Sequence, residues 1–190
     1  MHGMLKIVQA PNPVLAQKAK PIAKVDTTVH KLIKQMIVTL EHAKDPEGVG
    51  LAAPQVGKSL QLFIVKMTPR SPILTFINPK IESFFDEPEE DKEKNEEESK
   101  EKDVQLEGCL SLHSIWGVVK RKYGVVLSYL DENGKEHQKK FDGFMSVIIQ
   151  HEYDHLQGVL FPKRVLEQEN PLYKSVKNKK GETEFEEIEL

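Results

Sequence analysis

Residues 141–158, FDGFMSVIIQHEYDHLQG, constrain this chain more than any other stretch, because their apolar spacing runs unbroken into two histidines. Phe144, Val147 and Ile148 share one helical face, and His151 and His155 continue it. Asp142 stands where a cap is expected and Gly158 where a helix stops. Histidines at the end of an apolar face point inward, and a buried imidazole needs a partner. The pattern H-E-x-x-H sets His151 and His155 one turn apart as potential metal ligands, with Glu152 beside them. It runs on as H-E-x-x-H-x-x-G, but where a third histidine would complete a zinc site the chain has Phe161. The pattern alone recurs by chance, and an ordinary helix with charged residues facing water would also produce it.

A third ligand can be sought by elimination. Glu167 and Glu169 lie downstream in a segment without apolar pattern, which makes a thermolysin-type glutamate a poor fit. His30 and His42 sit among polar positions of an early helix, His2 is terminal, and His137 falls in an expected hairpin. Cys109 is the chain's single cysteine, so no internal disulfide can form. A lone cysteine is ordinarily a small buried hydrophobe. This one stands in LEGCLSL between Gly108 and Leu110, and thiolate is a preferred ligand for zinc or ferrous iron. A Cys-His-His set with one open position is a recognised catalytic arrangement.

A third stretch, GVGLAAPQVG at residues 48–57, has the small residues of a tight segment that a peptide-like ligand can approach. It lacks the Lys-Ser/Thr of a phosphate loop. Gln55 offers an amide N–H of the kind that stabilises a developing oxyanion. By itself the stretch reads equally as a Gly-rich turn packed on the core.

The rest of the chain supplies the frame. DTTVHKLIKQMIVTLEHAK has helical spacing with Asp26 as its cap, and LQLFIVK (60–66) and ILTFINPKIESF (73–84) read as strands. WGVVKRKYGVVLSYLDENGKEHQKKFDG suggests two or three antiparallel strands turning at ENG. Helix, several strands, then a helix set against them argues for an α+β fold, with antiparallel sheets packed around the H-E-x-x-H helix. A single domain is expected over residues 1–165 of the 190, followed by a polar tail at 166–190 that reads as a surface helix or a frayed end. Residues 86–103 carry eleven acidic and four basic side chains, a net −7, and read as a solvated surface insertion. The calcium-loop spacing is absent from it. The whole chain's net charge of −3 points to no nucleic-acid partner. No apolar run approaches a membrane span, and a soluble cytoplasmic protein is the expectation.

Taken together and in order, GVGLAAPQ, EGCLS and QHEYDHLQG resemble the three signature motifs of peptide deformylases. Weaker similarity runs from APNPVLAQKAKPI to GVLFPKRV. The resemblance implies that Cys109, His151 and His155 hold one divalent ion, typically Fe2+, with Zn2+, Ni2+ or Co2+ as substitutes. It implies Glu152 as general acid/base, with Gln55 and the backbone N–H of Leu110 flanking the oxyanion. Gly50 and the strand-like edge near Val49 would pair with the substrate backbone, with Leu51 and Gly108 adjoining. Phe144, Val147, Ile148, Val49 and Glu107 would wall a methionine pocket. The implied substrates are N-formyl-Met nascent peptides. The ribosome is a further candidate partner through the basic run YKSVKNKK, although the acidic end beside it weakens that idea.

Two positions depart from the pattern: His113 replaces a common proline, and Trp116 stands where some bacterial members place a substrate-contacting arginine. His113 reads as a surface-loop residue. Two other readings compete with the resemblance. A zinc metallopeptidase would cleave unformylated peptides and survive loss of Cys109. A structural metal module would have no use for Glu152 or Gln55.

Overall fold

A computed structural model describes residues 3–44, 47–68, 70–86, 88 and 106–189. Residues 89–103 of the acidic insertion lie outside these. Helix α1 spans Thr27–His42, and the Asp26 carboxylate caps it by accepting from the N–H groups of Thr28 (2.9 Å) and Val29 (3.0 Å). A five-stranded antiparallel sheet follows in the order β1 (Gly50–Ala52), β2 (Leu62–Val65), β3 (Leu74–Phe85), β6 (Gly124–Leu130), β7 (Glu136–Asp142). Helix α2, Gly143–Leu156, carries the H-E-x-x-H pattern and packs across β1 and β2.

The run LFIV in β2 is buried at every position because the sheet is covered on both faces. Leu62 and Ile64 join Leu32, Ile33, Met36 and Leu40 of α1 in one core. Phe63 and Val65 face the other way, toward Ile148, Ile149 and Leu156 of α2. Phe63 and Phe76 stack there at 4.7 Å, and Phe76 meets Tyr129 at 4.6 Å. The α+β architecture expected from the sequence is thus present, with the histidine-bearing helix wedged against a sheet. Among the described residues, no helix is long and apolar enough to cross a membrane.

A second, four-stranded antiparallel sheet runs β4 (Leu106–Cys109), β5 (Leu112–Val118), β8 (Leu172–Lys177), β9 (Thr183–Glu187). Its last two strands correct the reading of residues 166–190 as a surface helix or frayed end. They form a hairpin that pairs with β5, Trp116 opposite Tyr173 and Gly117 opposite Leu172. The basic and acidic halves of that segment are cross-strand partners, as in Lys174 opposite Glu186. A short helix α3, Phe161–Glu167, has Pro162 in its first turn and ends inside the segment read as unpatterned, leaving Glu169 outside it. It buries Phe161 and Val165 against Leu172 and Cys109. Phe161 also stacks on His151 at 6.0 Å, so the residue in the place of a third histidine is a packing element.

Candidate metal centre and peptide cleft

Three elements converge on Cys109. It closes β4, His151 and His155 come from consecutive turns of α2, and Gln55 comes from the 3-10 turn after β1. One ligand atom from each of Cys109, His151 and His155 lies within 4.8 Å of the others. Cys109 Sγ is 3.3 Å from His155 Nε2, and it accepts at 3.5 Å from both Gln55 Nε2 and the Ser111 N–H. His151 Nδ1 is held by Glu107 Oε2 at 3.0 Å, which leaves Nε2 to face the sulfur. A soft thiolate and two imidazoles, the imidazoles with distinct ring orientations fixed by packing, fit a divalent transition-metal ion. Burial keeps His155 well below the usual imidazole range, in the neutral form a metal requires. Burial also opposes charge on His151, but Cys109 and Glu107 hold it well above that range, so an entering cation displaces a proton.

Glu152 lies beside this trio and is 3 % exposed. Its Oε2 is buried without a hydrogen-bond partner among the described residues. Burial raises its carboxyl to about 7. A carboxylic acid left unpaired in a buried cleft, poised near neutral pH, is suited to exchanging protons with a substrate. Gly50 makes room for it: a Cβ there would overlap the Glu152 carboxyl group. Gly50→Ala is therefore expected to displace Glu152 and lower kcat by about a hundredfold, the scale set by a 1 Å misplacement. Steady-state kinetics beside a melting curve separates that loss from unfolding.

Behind the ligands stands an ion-pair network that the sequence reading did not single out. Arg121 grips Glu107 through Nε (2.8 Å) and Nη2 (2.9 Å), and reaches Asp154 Oδ2 through Nη1 (2.7 Å). Arg164 of α3 takes the same Asp154 at 2.8 and 3.1 Å. Burial would raise the Glu107 carboxyl, yet the hydrogen bonds from His151 and Arg121 outweigh it and hold it at about 2. Because the folded value is below the ordinary 4.5, Glu107 stabilises the fold above that pH and ceases to as pH falls toward 2. The loss amounts to about 3–4 kcal/mol at ~1.4 kcal/mol per pH unit. Urea midpoints measured down the acid limb should show it, and Glu107→Gln should lack that part of the slope.

These groups open into a cavity of about 330 Å³ between the β1 edge of one sheet and the β4 edge of the other. Val49, Gly50, Gln55, Glu107, Gly108, Cys109, Leu110, Phe144, Val147, Ile148, His151 and Glu152 line it. Leu51 does not join them: it is fully buried and packs in the core beneath α1. His155 sits behind the cavity wall, against the sulfur. His113 is exposed on β5, as expected of a surface residue, whereas Trp116 enters the cavity lining with Leu106 and Val119. Arg121 was overlooked because it lies in an irregular link between β5 and β6. Asp154 was overlooked because it occupies a free position of H-E-x-x-H, although an acid on a helix with so few exposed positions needs a counter-ion.

The α+β frame and the thiolate–imidazole cluster with its buried glutamate define a metal-dependent hydrolase. The family model for polypeptide deformylase matches residues 4–171. Peptide deformylase 2 of Prochlorococcus marinus is 39% identical over 170 residues, which is 88% of this chain and 76% of that protein. The crystal structure of a Synechococcus elongatus peptide deformylase in complex with actinonin has a TM-score of 0.71 at 37% identity, covering 85% of this chain and 78% of that one. That of Thermotoga maritima peptide deformylase has a TM-score of 0.72 at 34% identity, covering 86% and 99%. This chain belongs to the peptide deformylase family.

Proposed function

We propose that this protein is a metal-dependent hydrolase that removes the formyl group from the N-terminal formyl-methionine of new polypeptides and releases formate. The observation that carries the reading is the placement of Cys109 Sγ beside His155 Nε2, with an unpaired buried Glu152, at the base of a cleft between two strand edges. Cys109, His151 and His155 would hold the ion. A divalent ion bound there supplies Lewis acidity, polarising the formyl carbonyl and making a water acidic enough to attack near neutral pH.

The chain's own groups do the rest. Glu152 takes a proton from the attacking water and returns it to the amine nitrogen as the C–N bond breaks. Gln55 spends one N–H on the Cys109 sulfur and its Oε1 on the Ala52 N–H at 2.7 Å. Its second amide hydrogen, with the Leu110 N–H, would meet the oxyanion; one such donor is worth ~3–4 kcal/mol. Glu107 and Arg121 hold His151 in orientation. A peptide laid between β1 and β4 would find backbone partners on both edges, as in strand addition. Phe144, Val147 and Ile148 then wall the methionine side chain. A formyl carbon bears only hydrogen, so it reaches a confined centre that a bulkier acyl group would not.

Ferrous iron is the proposed ion, since a thiolate ligand suits it and tempers its Lewis acidity; zinc, nickel and cobalt fit the same donors. The cytoplasm is the proposed location, with formyl-methionyl nascent chains as partners. Direct docking on the ribosome through YKSVKNKK remains a weaker proposal, because Lys174 stands opposite Glu186 in the hairpin and the acidic strand lies beside the run. Formate release from formyl-Met-Ala-Ser, assayed on protein loaded in turn with each metal under anaerobic conditions, tests the reading. Turnover with at least one metal is expected, highest with iron, and silence with all of them contradicts it.

A further inference from the structure

We infer that the outer face of the second sheet, built on Trp116 and Phe185, selects the residue that follows the methionine and favours an apolar or aromatic side chain there. The inference rests on the deformylase reading and adds to it a specificity determinant contributed by the C-terminal hairpin.

Strand β4 alternates strictly. Glu107 and Cys109 are buried and face α2 and α3, while Leu106 and Gly108 are half-buried and face the other way. Register carries that second face across the sheet: Gly108 lies opposite Trp116, Trp116 opposite Tyr173, and Ser175 opposite Phe185. The indole lies on the Cβ side of Gly108, where a Cβ would come within 2.7 Å of its ring. Phe185 meets the indole edge-on, with centroids 5.7 Å apart and planes at 80°. Trp116 is only partly buried and lines the cleft, and Phe185 remains 45% exposed.

A peptide strand added along the β4 edge must alternate in the same way. Its methionine points to the inner face, toward the apolar wall of Val147 and Ile148. The next side chain therefore points to the outer face, beside Leu106 and the indole. Among the described residues the lining on the β4 side of the outer cleft is Leu106, Gly108, Trp116 and Val119, and Glu47 lines the opposite, β1 side, so the occupant that the β4 side fits is apolar. Contact with one aromatic ring is worth ~0.5–1.5 kcal/mol beyond burial, which corresponds to about two- to tenfold in kcat/KM.

The experiment compares kcat/KM for formyl-Met-Xaa-Ser peptides with Xaa as Phe, Leu, Ala and Asp, using metal-loaded wild type, Trp116→Ala and Phe185→Ala. Wild type is expected to prefer Phe over Asp by about fivefold or more. The ratio should collapse toward unity in Trp116→Ala and fall part of the way in Phe185→Ala, whose half-exposed ring can be removed without opening the core. Trp116 is the chain's single tryptophan. Binding of Met-Phe-Ser should therefore change the intrinsic fluorescence more than Met-Asp-Ser does. A flat preference in wild type, or one that survives both substitutions, overturns the inference while leaving deformylation intact. Absence of formate from every peptide overturns both.

Discussion

Glu152→Ala should still bind its metal at wild-type stoichiometry and release formate about 10²- to 10⁴-fold more slowly, the range a positioned general acid/base contributes. The side chain is not among the three ligands, and its Oε2 has no hydrogen-bond partner among the described residues. Its removal therefore breaks no bond that holds the ion. What is lost is the buried carboxyl group beside the ligand trio, raised to about 7, whereas Glu107 is held at about 2 by His151 and Arg121. Metal analysis and a melting curve on the same preparation separate lost chemistry from a lost site. A variant that holds its metal and keeps its rate would mean that the proton moves by another route.

The second large effect is on stability. Arg121→Met is expected to cost about 3–5 kcal/mol, the usual result of leaving buried charges without their partner. Arg121, Glu107 and Asp154 are all less than a tenth exposed, and the guanidinium makes three contacts of 2.9 Å or shorter. Glu107 would then keep only His151, and the imidazole's orientation would loosen with it. Metal affinity should fall by about ten- to a hundredfold, as it does when an outer partner of a ligating histidine is removed. Arg164→Met is the comparison. That side chain is 35% exposed and shares Asp154 with Arg121, so its loss should be milder. Chemical denaturation of both variants, with and without metal, checks the ordering; equal losses would show that the network is not centred on Arg121.

The fold was legible where the apolar period was clean. Val29, Leu32, Ile33, Met36 and Leu40 marked α1, and the apolar run LFIV marked a strand, whose cover on both faces the structure adds. The candidate ligands His151 and His155 stood out in the sequence because they prolong an apolar face, a pattern that a solvated helix does not need. The tail was not legible. All of β9 is exposed, and β8 buries only Leu172, so their order comes from strand pairing, of β8 with β5 and of β9 with β8. Strand pairing between distant segments leaves no local trace when neither face is buried. Leu51 was misplaced for a related reason. It lies next to Gly50 on a strand of three residues, and alternation turns its side chain from the cleft into the core.

Trp116 shows the same limit from the other side. Its position in the sequence marks a departure from some family members, but only the register against Gly108 and Tyr173 reveals which face its ring occupies.

The thiolate–imidazole metal site of this chain should hydrolyse the formyl amide and no other bond of the peptide. Formyl-Met-Ala-Ser should be incubated with metal-loaded protein, and formate, new amino termini and peptide fragments measured together, for wild type and Cys109→Ala. One formate for each new amino terminus is expected, with an intact Met-Ala-Ser product and loss of both metal and turnover in Cys109→Ala. Cleavage between residues without formate, or formate release that survives Cys109→Ala, would contradict that expectation.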